Sequence, residues 1–187
     1  SSKRVVLMDW MVFWSENKKE IDKTAKRFMA IDRSENAELT ITNAPKESDF
    51  AFVETSCHPK DPSLGSRALR VSDKVLLETV DVEGITAGED IVLLRWGVVK
   101  ITKVDGLKLE GELVPGGDFK AAKRKLSWLA DVASNTPVTL MEFDNLISKD
   151  KIEEDETFED FINPDTKAAT EVFGDAGLKT LKEEDVI

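Results

Sequence analysis

Two residues that could do chemistry together stand side by side. The only cysteine and the only histidine of this 187-residue chain are Cys57 and His58, in the run Ser-Cys-His-Pro-Lys-Asp-Pro-Ser-Leu-Gly-Ser-Arg over residues 56–67. A Cys–His pair can form a thiolate nucleophile, and either residue can ligate a metal. Neighbouring residues in an extended strand point to opposite faces, so His58 is poorly placed to act as the base for Cys57. No second histidine exists to complete a metal site. The other reactive pairs are carboxylates, such as Asp155 and Glu159. They fall in residues 151–161, where six acids and one lysine read as a solvated charged face rather than a glycosidase pair. Neither a Gly-x-Gly-x-x-Gly nor a Gly-x-x-x-x-Gly-Lys-Ser/Thr loop is present.

The alternative reading of residues 56–67 is a stiff loop. His58 and Asp61 both precede prolines, which pushes them out of the helical region, and Gly65 is free to turn the chain. The sequence predicts a braced extended loop whose histidine bonds the loop's own backbone or reaches a ligand. A Cys57-dependent enzyme is the competing expectation, and burial of Cys57 would end it.

The elements around this loop change character along the chain. Residues 8–22 predict a helix, with Asp9 as N-cap and Trp10, Phe13, Trp14 and Ile21 on one apolar stripe expected to pack in the core. From residue 37 onward come eight short segments rich in β-branched and alternating residues: 37–43, 50–55, 74–80, 90–96, 98–104, 107–114, 125–132 and 137–143. Asn, Asp, Gly and Pro separate them, and residues 98–114 read as a hairpin around Asp105–Gly106. The prediction is an all-β chain of two small antiparallel barrels preceded by a short helical connector.

Net charge is −11, which disfavours a polyanionic partner at long range. Basic residues nevertheless gather at Lys18, Lys19, Lys23, Lys26 and Arg27, and again at Lys120, Lys123, Arg124 and Lys125, so local phosphate binding stays open. One cysteine excludes an internal disulfide and fits a reducing, cytoplasmic compartment. No apolar run reaches the roughly 20 residues that span a bilayer, so no membrane partner is expected.

Six stretches, in order along the chain, carry a resemblance. His58–Gly65 resembles the His-Pro-x-x-Pro-x-x-Gly signature in the anticodon-binding region of class I glutamyl- and glutaminyl-tRNA synthetases. Residues 8–22 resemble the helix those enzymes place after the catalytic region, and residues 25–31 the Ala-Pro-Arg element that follows. Residues 93–104 resemble the strand carrying Trp-Gly. Residues 117–131 and 143–166 are closer to the eukaryotic and archaeal-type glutamyl enzymes.

The resemblance implies two barrels, similar in type to a ribosomal protein, that grip the anticodon stem-loop of a glutamate tRNA. It divides the chain into a connector over about residues 1–24 and an anticodon-binding region over about 25–187. Within that region it implies a proximal barrel (about 25–88 and 149–187) and an inserted distal barrel (about 89–148). The parent enzymes join glutamate to tRNA with ATP and Mg²⁺. Their His-Ile-Gly-His-like and Lys-Met-Ser-Lys-Ser-like motifs are absent from these residues, so this chain is expected to hold no cofactor and no catalytic residue of its own. The catalytic region is expected before Ser1, and further strands after Ile187.

On the same ground Arg27, Arg95, Lys100, Lys103, Lys123 and Arg124 are the expected tRNA contacts, and Trp96 is a stacking platform or core. Lys23 and Lys26 replace prolines of the family pattern, and Val98 stands where Trp-Gly-Asn is common. Accessory or multi-synthetase partners are expected to use segments outside these residues. The acidic charge also suits an alternative: a β-barrel that docks proteins and binds no RNA.

Overall fold

The computed structural model describes residues 10–149 and 152–187. The expected N-cap Asp9 lies outside them. Helix α1 runs Trp10–Thr24 and leads into strands β1 (Ala30–Asp32) and β2 (Asn36–Ile41). A ribbon follows, β3 (Phe52–Ser56) and β4 (Ser66–Arg70), then β5 (Lys74–Glu78) and the single turn α2 (Thr79–Val82). The middle of the chain holds β6 (Asp90–Leu93), β7 (Gly97–Asp105), β8 (Lys108–Val114), β9 (Arg124–Leu126) and β10 (Leu129–Ala130). Two eight-residue strands, β11 (Thr136–Phe143) and β12 (Lys167–Gly174), complete the set.

The all-β reading with a leading helix is what the protein adopts, as a curled half-barrel with smaller sheets beside it. Seven strands form one sheet in the order β10-β5-β2-β8-β7-β6-β9. Pairing is antiparallel except at β2–β8 and β6–β9, which are parallel. Strands from either side of residues 88 and 89 meet in this sheet. A second sheet has the order β1-β12-β11, and β3–β4 stands as a two-stranded ribbon.

Alternation builds the core. In β2, Ala37, Leu39 and Ile41 are buried, and Leu39 sits opposite Val75 of β5 and Leu109 of β8. Leu93, Val99, Ile101 and Trp128 join the same cluster. β5 is buried on both faces: Val75 and Leu77 enter this core, while Leu76 packs with Ile31 and Leu129. That second contact seats β1, and with it the β1-β12-β11 sheet, against the half-barrel.

Three strands escape the sequence reading. β1 is short, and β12 opens on Lys-Ala-Ala with little alternation. β4 conceals its pattern because an arginine, Arg67, takes an inward position beside Leu69. The hairpin near residue 105 forms with Asp105 opposite Lys108, so Gly106 and Leu107 make the turn, and Gly106 has φ +60°.

The aromatic stripe of α1 is not core. Trp10, Phe13 and Trp14 are 65%, 44% and 51% exposed, and no residue of the helix is buried. The stripe has helical spacing, but among the described residues no sheet lies over it; the rings meet each other edge-on instead. Among the described residues no helix is long and apolar enough to cross a membrane.

Candidate functional site

The loop from Cys57 to Gly65 is a brace. Gly65, at φ +83°, returns the chain so that its carbonyl accepts from the Cys57 amide at 2.9 Å. Asp61 caps the turn at residues 62–64 by accepting from the Ser63 amide at 2.9 Å and the Ser63 hydroxyl at 2.6 Å. Those Ser63 bonds hold the Asp61 carboxyl below its ordinary value. His58 is 2% exposed. Its Nδ1 accepts from the amides of Lys60 (3.2 Å) and Asp61 (3.1 Å), so the ring proton lies on Nε2. Nε2 donates to the Asp22 carbonyl of α1 at 2.7 Å. The histidine thus joins loop to helix, further than its own loop. Cys57 is also buried, which removes it as an accessible nucleophile.

Held this way, the loop presents its Cys57 carbonyl to the Arg27 amide at 2.8 Å. Arg27 follows α1, and its carbonyl becomes a shared acceptor. Arg67 Nη2 donates to it at 3.0 Å and Arg95 Nη1 at 3.4 Å. Arg95 reaches the site from the tight turn between β6 and β7, where it adopts φ +70°. Burial, then the positive charges of Arg67 and Arg27, push the Arg95 guanidinium below its usual value, and Asp175 partly offsets them. Arg67 is itself tied to Asp175 at 2.6 Å.

The Arg27 guanidinium pairs with Asp22 and stays 44% exposed. Lys60 bonds the same Asp22 at 3.4 Å, and that bond, followed by the charges of Lys60 and Arg27, lowers the Asp22 carboxyl. Three cations therefore pair with two carboxylates and a fourth, Arg95, bonds only a carbonyl, leaving a positive spot on an acidic chain. It opens onto a groove of about 540 Å³ lined by Lys18, Lys19, Asp22, Arg27 and Ile187 among others. Such a spot can hold an anionic group, and a half-exposed guanidinium can fork onto a phosphate or a base edge.

Of the sequence-predicted contacts, the fold brings Arg27 and Arg95 together. The others lie elsewhere. Lys100 is exposed on β7 between Asp90 of β6 and Glu112 of β8. Lys103 bonds Glu110 at 3.0 Å, which raises its pKa. Arg124 donates to Glu89 at 3.0 Å and to the Asp81 carbonyl at 3.1 Å, tying β9 to the α2 turn. Lys123 is exposed just before β9.

Trp96 is half-buried against Trp128, with ring centroids 4.7 Å apart, and the Trp128 indole donates to the Leu94 carbonyl at 2.9 Å. A smaller groove of about 260 Å³ borders Trp96, Leu113, Pro115 and Phe119. Sequence reasoning missed Arg67 and Asp175. The Gly-Ser-Arg ending of the braced loop was the only local signal for Arg67, and Asp175 had none.

Comparison with known proteins gives the family of the chain. Family models described as the anticodon-binding domain of class I tRNA synthetases (E and Q) match residues 25–116 and 125–187. The whole chain is similar to a cytoplasmic glutamate–tRNA ligase of Saccharomyces cerevisiae at 37% identity, covering 26% of that protein. It is similar to a cytoplasmic glutamate–tRNA ligase of Arabidopsis thaliana at 36%, covering 27%. A bifunctional glutamate/proline–tRNA ligase of Drosophila melanogaster is 34% identical over the whole chain, which covers 11% of that protein. The chain spans about a quarter of the length of the two single-function relatives.

Proposed function

Because the chain belongs to the anticodon-binding domains of the class I tRNA synthetases for glutamate and glutamine, we propose that it reads the anticodon of a glutamate tRNA. It would do so as the recognition part of a glutamate–tRNA ligase. The observation that carries this reading is the meeting of Arg27 and Arg95 at one main-chain carbonyl beside an open groove. Anticodon nucleotides are single-stranded and can splay out, so their base edges are open to a guanidinium fork and their faces to stacking. Arg27, half-exposed, is the principal contact, and Arg95 supports it from the β6–β7 turn.

Lys123, exposed before β9, neutralises a phosphate away from the Arg27 spot, while Lys100, Lys103 and Arg124 face carboxylates and act through their longer-range charge. Phosphate contacts orient the stem-loop and base contacts supply discrimination. In this reading the half-barrel and the β1-β12-β11 sheet are two lobes that flank the loop. Joining glutamate to tRNA with ATP and Mg²⁺ belongs to sequence carrying the catalytic motifs, none of which occurs in these residues.

The test is the affinity of the chain for a glutamate tRNA and for a non-cognate tRNA across a salt series. The cognate should bind more tightly, and affinity should fall as salt rises. Arg27→Ala should weaken cognate binding about tenfold. Equal binding of both tRNAs, untouched by the substitution, would end this reading.

A further inference from the structure

Asp175 is the most enclosed charged group of the site. It directly follows β12 with its side chain 4% exposed, and its carboxylate accepts three bonds. Arg67 Nη1 donates to Oδ1 at 2.6 Å, the Gly177 amide to Oδ1 at 2.9 Å, and the Met29 amide to Oδ2 at 2.9 Å. A buried carboxylate without its cation is costly, so Asp175 holds Arg67 firmly.

Arg67 comes from β4 and is 12% exposed. Its guanidinium lies over the Phe28 ring at 4.9 Å, and its second terminal nitrogen bonds the Arg27 carbonyl at 3.0 Å. One planar fork thus joins β4, the end of β12 and the segment leading from α1 to β1. Lysine, with a point charge and no fork, could not make both bonds in this geometry. Arg67 is too enclosed to read RNA itself. What it fixes is the carbonyl to which Arg95 also bonds, and hence the backbone from which the Arg27 side chain projects.

Gly177 adds an independent sign that the arrangement is tight. A Cβ there would stand 2.8 Å from Asp175 Oδ1, 3.1 Å from Arg67 Nη1 and 3.2 Å from Phe28. A methyl group at residue 177 would therefore push on the clasp while removing no charge and no hydrogen-bonding group.

We propose that the Arg67–Asp175 pair is the positioning clasp of the anticodon-reading site, setting base discrimination through Arg27 and Arg95 without touching the RNA. This rests on the tRNA-reading function proposed above.

The experiment measures fluorescence anisotropy of a labelled glutamate-tRNA anticodon stem-loop, and of the same loop with one anticodon base changed, over a salt series. It uses the 187-residue chain, its Gly177→Ala, Arg67→Lys and Arg67→Met/Asp175→Asn variants, and Arg27→Ala for reference. Circular dichroism identifies the folded variants. The double variant removes the buried pair together, so no lone charge is left to unfold the protein.

The expected result is that folded clasp variants lose about five- to tenfold in cognate affinity and most of the preference between the two loops. Their slope of log affinity against log salt should match the parent, whereas Arg27→Ala should lower that slope by about one. Full preference retained in folded Gly177→Ala and in the double variant overturns the clasp and leaves the tRNA reading standing. A salt slope reduced in the double variant as in Arg27→Ala also overturns it, by making Arg67 a direct contact. No preference in the parent chain overturns the tRNA reading, and the clasp with it.

Discussion

His58 and Asp22, thirty-six residues apart, are joined by one hydrogen bond in which the imidazole Nε2–H donates to the Asp22 carbonyl at 2.7 Å. Because Nδ1 simultaneously accepts two amides of the Pro-rich loop, the ring couples the exit of α1 to residues 58–61. Arg27 lies five residues beyond Asp22, and its amide bonds the carbonyl next to this histidine. The brace therefore sets the path along which the principal arginine of the site is delivered.

His58→Ala should destabilise the chain by about 2–4 kcal/mol, since it orphans two amides and a carbonyl at a buried position. Urea unfolding followed by circular dichroism measures it. A loss under about 0.5 kcal/mol would mean the loop holds its shape without the ring.

Stability should fall in acid through four depressed carboxyls, one of them Glu156, lowered by the Glu153 amide and then by Lys149. Asp22 is lowered chiefly by its bond from Lys60, Asp32 by Ser34 and Asp61 by Ser63. A folded-state value below the unfolded one gives stability that is present above the unfolded value and lost as pH falls through the folded one. The urea midpoint should thus decline as pH drops below about 4, and Asp61→Ala should flatten the decline. Glu78, raised by burial, carries the opposite sign: protonation favours its folded form. An acid limb unchanged by Asp61→Ala would argue against the Asp61 cap.

Trp128→Phe should cost about 1–3 kcal/mol by removing a fully buried indole's bond to the Leu94 carbonyl and part of its packing on Trp96. Near-ultraviolet circular dichroism should lose intensity in step, and unchanged denaturation would contradict the packing described.

Gly111→Ala should cost about 1–3 kcal/mol by overpacking. A Cβ on β8 would meet Val99 Cγ1 at 2.7 Å and the Lys100 carbonyl oxygen at 2.8 Å, and backbone cannot yield as a side chain can. Thermal unfolding reads the effect.

Arg124→Gln should lower stability more than it lowers RNA affinity, because its guanidinium is half-buried on Glu89 and the Asp81 carbonyl. Cognate affinity should change less than about twofold where Arg27→Ala changes it about tenfold. Equal losses for the two variants would move the RNA contact toward β9.

Much of this molecule is legible along the chain, and the legible parts are local. Alternation in Ala37-Glu38-Leu39-Thr40-Ile41 dictates a strand with one wet face, and proline geometry dictates that residues 58–65 form a braced loop. Even so, the stripe of Trp10, Phe13 and Trp14 specified a helix without specifying what would cover it. Tertiary structure alone decided that Asp175 would meet Met29, 146 residues away, and Arg67, 108 residues away. It also decided that Arg95 would lie beside Arg27, while Lys103 and Arg124 would face carboxylates. The reason is physical: backbone torsions and side-chain period act between near neighbours, so they can be read from spacing. A charge's partner depends on which strands become adjacent, and that is settled by how the whole set of apolar faces closes.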